Sequence, residues 1–359
     1  MTQSVGEIAE QLSALLGFHK AAGWDPVGLQ LGDPDAAVAR TAVCHEIDAA
    51  TVQRLIEENI DLAVVYHPLL FHSVKRLVAG SGAAGRAHRL IANGVALVVA
   101  HTAFDVMAGG TADALASTIG LRDATGFGPA WGVDSVKVVT FVPAERVDTV
   151  VAAMAAAGAG RIGRYSSCSF QSVGTGSFLP ETGANPHFGD VGALSRETEL
   201  RVEMIAPASR VDAVVAAMTT VHPYEEPAYD VIEAKSNAGF IGRQGRLDEP
   251  MAIEELAERV ADRLGGVLRI AGSGPVSTAA VVPGSGGSFL LDTAADVVIT
   301  GDVSHHQAVA AVANGKAVID PGHIATERPG VKALYASVAE LVPNVIDMTD
   351  TDPDPWKER

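Results

Sequence analysis

The chain has 359 residues, of which 48% are hydrophobic and 19% are charged, and its 43 acidic residues against 26 basic ones give a formal net charge of −17. This length is large for one hydrophobic core and predicts two domains, or one domain with a large insertion, and the composition excludes wholesale disorder. The acidic excess disfavours nonspecific binding to nucleic-acid phosphates, although it leaves local binding of a nucleotide open.

The first predicted element is an amphipathic helix in the segment MTQSVGEIAEQLSALLG. It carries glutamates and lacks the basic start of a signal peptide, and no apolar run in the chain approaches membrane-spanning length. Cys44 and Cys168 offer neither a disulfide framework nor a paired zinc-ligand spacing, which is typical of a reducing compartment. We therefore expect a cytoplasmic protein that makes no contact with a membrane.

From residue 36 to residue 120, short apolar strands alternate with helices. The strands are predicted for RTAVCHEI, DLAVVYHP and VALVVAHT, at residues 40–47, 61–68 and 95–102. The helices are predicted at residues 48–60, 85–94 and 109–120. Continuous apolar strands separated by helices indicate an α/β domain with a largely parallel sheet that is covered on both faces.

The middle of the chain contains an internal repeat. VKVVTFVPAERVDTVVAAM (136–154) recurs as LRVEMIAPASRVDAVVAAM (200–218), and each copy predicts a strand, a proline-containing turn and a helix. The hairpin-like stretch CSFQSVGTGSFLP follows the first copy, and the strand PAYDVIEA follows the second. The order strand–helix–strand–strand–helix–strand is that of a ferredoxin-like α+β unit. We predict that residues 130–235 form such a domain, inserted into an α/β core made of residues 1–129 and 236–359.

After residue 250 the α/β pattern returns, and polar residues follow four of the predicted strands. These residues are His67 and His72, His101 and Asp105, Asp302, His305 and His306, and finally His323 and Glu327. Ligands collect beyond the carboxyl ends of strands in open α/β sheets, so we expect the set to share one sheet edge. Imidazoles and carboxylates without a thiolate favour a divalent ion such as zinc, manganese or iron. Because carboxylates can bridge ions, a two-metal centre is compatible with the pattern.

Structural explanations exist for several of these residues. Glu327 suits the first turn of a helix that Thr326 could cap, and Asp302 beside Ser304 is typical of another helix cap. The glycine-rich VPGSGGSF (282–289) could cradle a phosphate, but it lacks the lysine and spacing of a P-loop and a tight turn explains it. Lys75 and Arg76 either meet an anionic substrate or are solvated surface charges.

The chain resembles the NIF3-like proteins, also named the GTP cyclohydrolase 1 type 2 family, in their longer form with an inserted PII/CutA-like domain. The resemblance covers nearly the whole chain and rests on seven motifs in order: WDPVGLQLG (24–32), YHPLLFHSVKRL (66–77), HTAFDVMAGG (101–110), GAGRIGRYSSCSFQSVGTGSF (158–178), HPYEEPAYDV (222–231), TGDVSHHQA (300–308) and DPGHIATERPGVKAL (320–334). It implies a dinuclear metal centre on the core domain and a ring-shaped homohexamer. For His222, Glu225 and Glu226 it implies a turn into the last strand and packing between subunits, rather than a second metal site.

By position, the resemblance implies that His67, Asp105, His323 and Glu327 are metal ligands and that Glu327 bridges two ions. It places His101 and His306 close to the metals, where hydrogen bonding to ligands or proton transfer makes them the catalytic candidates.

Tyr66 is a departure from the family pattern, because bacterial relatives often carry two adjacent histidines where this chain has Tyr66 and His67. Tyrosine is a poor ligand until it loses its proton, at an unperturbed pKa of about 10. We therefore expect two ions per subunit, the second weakly held or dependent on His72 or water.

The activity implied by the resemblance is metal-dependent hydrolysis of a small molecule of the nucleotide class. The family name suggests hydrolytic opening of the GTP base, but no motif in the sequence indicates recognition of guanine. Hydrolysis of a phosphoester or of a cyclic amide would need the same activation of water by a metal ion. The alternative is a non-catalytic regulatory protein that binds small molecules or metals through its PII-like insert.

Overall fold

The computed structural model describes residues 3–80, 82–129, 135–162, 165–234, 239–265 and 268–350, together with residues 354 and 356. The chain divides into two compact units, Met1–Gly132 with Ala238–Arg359, and Val133–Asn237. Residues 130, 235 and 236, at which the predicted domain boundaries lie, are outside the described residues. Each unit has its own sheet structure and its own hydrophobic core.

The elements alternate along the chain much as the apolar pattern predicts. The described helices are α1 (Val5–Leu15), α2 (Ala49–Glu57), α3 (Ala83–Ala92), α4 (His101–Val106), α5 (Thr111–Ile119), α6 (Val147–Ala156), α7 (Val211–Val221), α8 (Ile253–Leu264), α9 (His305–Ala313) and α10 (His323–Leu341). The described strands are β1 (Gly28–Leu31), β2 (Thr41–Cys44), β3 (Leu62–Val65), β4 (Ala96–Val99), β5 (Arg122–Pro129), β6 (Ser135–Val142), β7 (Phe170–Phe178), β8 (Ser195–Pro207), β9 (Tyr229–Ala234), β10 (Phe240–Ala252), β11 (Arg269–Ala271), β12 (Pro275–Ser285), β13 (Val297–Gly301), β14 (Ala317–Asp320) and β15 (Val345–Met348). None of these helices is both long and apolar enough to cross a membrane.

The first sheet of the larger unit has the strand order β1-β4-β3-β2-β15, in which only β1 runs antiparallel to its neighbour. Its central strands β2, β3 and β4 are buried at every position and almost entirely apolar, because both faces of the sheet are covered. In β3, for example, Leu62 and Val64 face one core cluster, and Ala63 and Val65 face the other. The predicted largely parallel sheet corresponds to this half of the unit.

The second sheet of the larger unit has the order β11-β14-β13-β12-β10-β5 and is mixed. Only β12, β13 and β14 are parallel, whereas β11, β10 and β5 pair antiparallel with their neighbours. The prediction of one largely parallel sheet for the core is therefore wrong in this half. Strands β5 and β10 escaped prediction because RDATGFGP and FIGRQGRLDEPMA contain glycine and arginine where a buried strand usually has an apolar run.

The smaller unit contains a four-stranded antiparallel sheet with the order β7-β8-β6-β9. Helices α6 and α7 pack against one face of it through side chains that include Val138, Val202, Met204, Val214 and Met218. Strand β8 alternates accordingly, since the residues next to the helices are buried and those between them point to the other face. The sheet face opposite the helices carries polar side chains such as Lys137 and Glu203.

Candidate metal centre

Residues from both sheets of the larger unit meet at the carboxyl ends of the strands. In the first sheet, His45 and His67 follow β2 and β3, and His101 follows β4. In the second sheet, Asp302 follows β13, and α10 begins at His323 directly after β14. The prediction that a single sheet edge carries the set is wrong, because the two sheets each contribute part of it.

The carboxylate of Glu327 lies at the middle of this cluster and is only 3% exposed. Its Oε2 is 3.0 Å from Nε2 of His45, and its Oε1 is 3.0 Å from Nε2 of His323. Nε2 of His67 lies 3.3 Å from Oε2 and 3.4 Å from Oε1. Three imidazoles therefore surround one buried carboxylate, and the structure brings the sequence-predicted residues His67, His323 and Glu327 together.

Carboxylates on the far side of two of these rings orient His67 and His323. Nδ1 of His67 is 3.0 Å from Oε1 of Glu46, and Nδ1 of His323 is 2.7 Å from Oδ2 of Asp302. Histidines that bind metals usually have such a partner, because it fixes the ring and its tautomer. The carboxylate of Asp302 therefore bonds a histidine, while Ser304 caps α9. Similarly, Thr326 does not cap α10, whose N-cap is Gly322.

His101 is held in the same way from the N-terminal segment. Its Nδ1 lies 2.9 Å from Oδ1 of Asp25, a side chain without solvent exposure, and Oδ2 of Asp25 accepts a hydrogen bond from the backbone N–H of Thr102 at 3.0 Å. The ring centroid of His101 is 5.3 Å from that of His67. His101 has φ +29° and Asp302 has φ +56°, so two residues beside the cluster have backbone conformations that cost energy outside glycine.

Asp105 is buried next to the cluster, but Tyr66 binds its carboxylate. The hydroxyl of Tyr66 donates a hydrogen bond to Oδ1 of Asp105, and both side chains are buried. Burial raises the pKa of Asp105 to about 6. Burial, with the charges of Asp105 and Glu327, also raises the pKa of Tyr66 well above its ordinary value. Tyr66 is therefore a protonated phenol that donates to Asp105.

The electrostatics of the cluster favour positive charge. Burial by itself lowers the pKa of a histidine, but the carboxylate of Glu327 overcomes it and raises the pKa of His67 to about 10 and that of His323 to about 9. Burial opposes ionisation of Glu327 too, yet His67, His323 and His45 hold its pKa well below the usual range. A buried carboxylate that attracts protons to its neighbours is also a strong site for a cation.

The donor set fits a divalent metal ion. Ligand atoms of His45, His67 and Glu327 all lie within 4.8 Å of one another. Gly284, at φ +61°, leaves room beside them, since a Cβ there would be 2.6 Å from Oε1 of Glu327 and 3.3 Å from Cε1 of His323. Imidazole nitrogen and carboxylate oxygen suit zinc, manganese or iron.

His306 is the second residue of α9, which begins at His305. His306 lies in the exposed first turn of α9, where its ring contacts that of His305. Within the part of the chain that the structure describes, no hydrogen bond or ion pair joins it to His67, His323 or Glu327. Of the two predicted catalytic histidines, His101 has a ring contact with His67, whereas the role of His306 stays a prediction.

His45, Glu46 and Asp25 were not predicted from the sequence. His45 follows β2 as His67 and His101 follow their strands, so the signal that identified the other histidines was present in RTAVCHEI. Asp25 belongs to WDPVGLQLG but follows no strand. Its role becomes visible only when the fold brings it to His101.

An aromatic pair borders the centre. Trp24 and Phe71 are 56% and 47% exposed, and their ring centroids are 5.6 Å apart. The ring of Trp24 also lies 6.2 Å from that of His101. Large exposed aromatic rings beside a polar site are typical of a surface that binds a ligand.

Comparison with known proteins gives one consistent result. The model of the family described as Duf34/NIF3 (NGG1p interacting factor 3) matches residues 3–355. The chain is 38% identical over 341 residues to the GTP cyclohydrolase 1 type 2 homolog of Mycobacterium leprae (strain TN), with 92% of this chain and 88% of that protein covered. It is 34% identical over 343 residues to the homolog of the same name from Bacillus subtilis (strain 168), with 92% of each protein covered.

Solved structures agree over the full length. A Bacillus cereus protein related to NIF3 is 32% identical, has a TM-score of 0.71 and covers 100% of both chains. Staphylococcus aureus protein SA1388 is 25% identical, has a TM-score of 0.72 and covers 100% of this chain and 99% of its own. The likeness therefore includes both units of the molecule.

Proposed function

The chain belongs to the Duf34/NIF3 family, and from this premise we propose that it is a divalent-metal-dependent hydrolase of a small molecule. The observation that carries the proposal is the buried carboxylate of Glu327 with the imidazoles of His45, His67 and His323 around it. Metal-dependent hydrolases use imidazole and carboxylate ligands of this type. Such ligands are held in place by a further carboxylate behind the ring or by burial against their neighbours. The relatives named GTP cyclohydrolase 1 type 2 homologs support the reaction class.

Two ions would share Glu327 unequally. Its Oε2 is near His45, its Oε1 is near His323, and Nε2 of His67 is almost equally far from both, so the two oxygens could serve different ions. The first ion would be held by His45, His67 and Glu327. The second would take His323, Glu327 and Asp105, and it would be the weaker because Tyr66 occupies an oxygen of Asp105.

The chain's own residues supply positioning and proton transfer. With a divalent ion held by Glu327 and the histidines, the chemistry supplied would be a lowered pKa of bound water and polarisation of a substrate oxygen. Asp25 holds Nδ1 of His101, which leaves Nε2 of His101 to take and return a proton at the reacting group. Glu46 and Asp302 keep Nε2 of His67 and His323 turned towards Glu327.

The substrate we propose is a small molecule with a flat ring, in keeping with the nucleotide in the relatives' name. Trp24 and Phe71 provide an exposed aromatic surface beside His101 on which such a ring can stack. Lys75 and Arg76 are exposed a few residues beyond Phe71 and can meet a phosphate.

The test begins with protein stripped of metal and reloaded with zinc, manganese or iron. It is assayed against nucleoside triphosphates including GTP, cyclic nucleotides and simple phosphodiesters. We expect turnover of at least one compound, lost more than 100-fold in Glu327→Ala and retained in His88→Ala, whose exposed side chain lies on α3. Full metal loading without turnover of any compound would overturn the hydrolase and favour the non-catalytic binding protein.

For the smaller unit and the assembly we propose the arrangement that the family resemblance implies. The strand order β7-β8-β6-β9, with two helices on one face, supports a ferredoxin-like, PII/CutA-like inserted domain. We also propose a ring-shaped homohexamer. Light scattering on the eluting protein should give the mass of six 37.0 kDa chains, and a monomer mass at all concentrations would contradict it.

A further inference from the structure

The smaller unit contains a cavity of about 610 Å³ that the proposed hydrolase does not use. Its volume lies within the range of about 300–1,000 Å³ that is typical of small-molecule sites. The cavity lies against strands β7 and β8, including Glu199 and Arg201, whose side chains are on the opposite face of β8 from those that pack against the helices. Residues 179–194, which connect β7 to β8 and are called the 179–194 loop below, form part of its wall.

The 179–194 loop is anchored by specific contacts. The backbone N–H of Asn185 donates to Oε1 of Glu225 at 2.9 Å, and the N–H of Gly192 donates to the carbonyl of Pro180 at 2.8 Å. The rings of His187 and Phe188 pack on Tyr224, with centroid distances of 5.9 Å and 6.3 Å. The cavity is therefore a built site, bounded on one side by the loop and on another by the turn that carries Tyr224 and Glu225.

The lining includes a buried carboxylate that lacks a cationic partner. Glu199 is 7% exposed, and its Oε1 accepts a hydrogen bond of 2.7 Å from the hydroxyl of Tyr224. Among the described residues, no nitrogen of a lysine, arginine or histidine lies within 4.0 Å of this carboxylate. Arg201 is two residues away, but its Nε pairs with Glu203 at 2.9 Å and its guanidinium lies 5.8 Å from the centre of the Phe141 ring. Buried carboxylates are expected to be paired with a positive charge.

Two neighbours preserve the carboxylate in this position. A Cβ at Gly176 would lie 2.0 Å from Oε2 of Glu199, so glycine is the residue that leaves room for it. Burial and the hydrogen bond to Glu199 raise the pKa of Tyr224 well above its ordinary value, which keeps the phenol a proton donor. Among the described residues, the only hydrogen-bond partner of the Glu199 side chain is this phenol, so a cationic ligand could meet the carboxylate without displacing an ion pair.

We propose that this cavity binds a small organic cation, with Glu199 as its counter-ion and the rings of Phe188 and Tyr224 as π faces. Glu225 and Glu226 also line the cavity, so carboxylates outnumber the guanidinium of Arg201 and disfavour an anion. Aromatic rings around an ammonium or guanidinium add cation–π attraction, which increases as the cation loses water. The apolar body of such a ligand would fill the rest of the cavity, where Phe141, Phe178 and Leu179 also lie.

Calorimetric titration of the full chain tests the proposal with three probes of similar shape: 2-phenylethylamine, the neutral 2-phenylethanol and the anionic 3-phenylpropionate. We expect saturable binding of the amine, at least 10-fold weaker binding of the alcohol, and none of the carboxylate. Glu199→Gln should weaken amine binding at least 10-fold, since the amide can still accept from Tyr224 but carries no charge. The control Asp212→Asn, at an exposed position of α7, should leave it unchanged.

Phe188→Leu provides a second measurement if Glu199→Gln does not fold. It removes a π face at similar volume and should weaken binding of the amine more than that of the alcohol. Equal binding of amine and alcohol, or unchanged amine binding in both variants, would overturn the proposal. Manganese or zinc ions that displace the amine through Glu199 would also overturn it, in favour of a metal site.

Discussion

Glu327 illustrates how one buried residue can organise a site. Its carboxylate, 3% exposed, is stabilised by imidazoles from β2, β3 and α10, which come from distant parts of the chain. Burying a single carboxylate in apolar surroundings is costly, so the arrangement is stable only with positive charge around it. In the proposed metal centre a divalent ion would supply that charge, and the histidines would hold it in their neutral form.

The first prediction concerns His45. Its side chain has no solvent exposure and its Nε2 contacts Glu327, so His45→Ala should remove a ligand and weaken binding of the first ion at least 10-fold. Elemental analysis of purified protein and titration of the stripped protein measure the loss. His88→Ala, exposed on α3, is the matched control. Undiminished affinity in His45→Ala would show that His45 is not a ligand.

The second prediction separates two roles of Tyr66. Tyr66→His should increase occupancy of the second ion, because it frees Asp105 and adds an imidazole. Tyr66→Phe frees Asp105 without adding a ligand, and a smaller gain is expected there. Metal-to-protein ratios after loading distinguish the variants. If neither differs from the unsubstituted protein, the hydrogen bond between Tyr66 and Asp105 does not limit the second site.

Much of the centre could be predicted from residues that follow apolar strands, because a strand's carboxyl end places its next residues at a known edge. That reasoning, with the family resemblance, found His67, His323 and Glu327, and it should also have found His45 after β2. It could not find Asp25 or Glu46, whose roles depend on tertiary contacts with His101 and His67.

At the scale of elements, the two sheets of the larger unit differ in how strongly their sequences indicate them. Strands β2, β3 and β4 are buried at every position and are apolar except at Thr41, and they were predicted at nearly the right places. Strand β10 contains Arg243, which is 7% exposed and therefore buried inside a strand. A charge there is acceptable only because α5 supplies Asp113, a long-range contact that no local pattern reveals.

The third prediction tests that contact. Arg243 binds both oxygens of Asp113 and donates to the carbonyls of Phe240 and Met107 at 2.8 Å and 3.3 Å. Asp113→Asn leaves the guanidinium without its charged partner and should reduce the free energy of unfolding at pH 7 by about 1–3 kcal/mol. Asp262→Asn, exposed on α8, should change it little. Denaturant unfolding followed by circular dichroism measures both.

The effect should depend on pH with a definite sign. Burial opposes ionisation of Asp113, but the hydrogen bonds from Arg243 hold its pKa below the ordinary value. A carboxylate with a lowered pKa in the folded state adds stability above its unfolded pKa of about 3.9, and that stability is lost as the pH falls through the folded pKa. The difference between the original protein and Asp113→Asn should therefore shrink below about pH 4, and a difference that grows with acid would contradict the ion pair.

At the scale of the whole molecule, the two segments of the larger unit end and resume on paired strands. The first segment ends on β5, and the second begins with β10, which pairs with β5. Pro129 on β5 is the register partner of Phe240 on β10, and these strands are antiparallel. Opposite residues in such a pair have Cα atoms about 4.5–5.5 Å apart, a gap that a two-residue hairpin turn can close. The internal repeat indicated the intervening unit in the sequence, but the pairing of β5 with β10 was not predictable, because neither strand has an apolar run.

The fourth prediction is that residues 130–239 can be replaced by Asn-Gly. The larger unit has its own core clusters, and the ends to be joined lie side by side, so the shortened protein should fold and bind the first metal ion with unchanged affinity. Circular dichroism, thermal unfolding and metal titration measure this, and His45→Ala in the shortened chain should again lose the ion. It should no longer bind 2-phenylethylamine, since the cavity is removed. An unfolded product with this turn and with longer glycine–serine linkers would show that the larger unit depends on the smaller one for its stability.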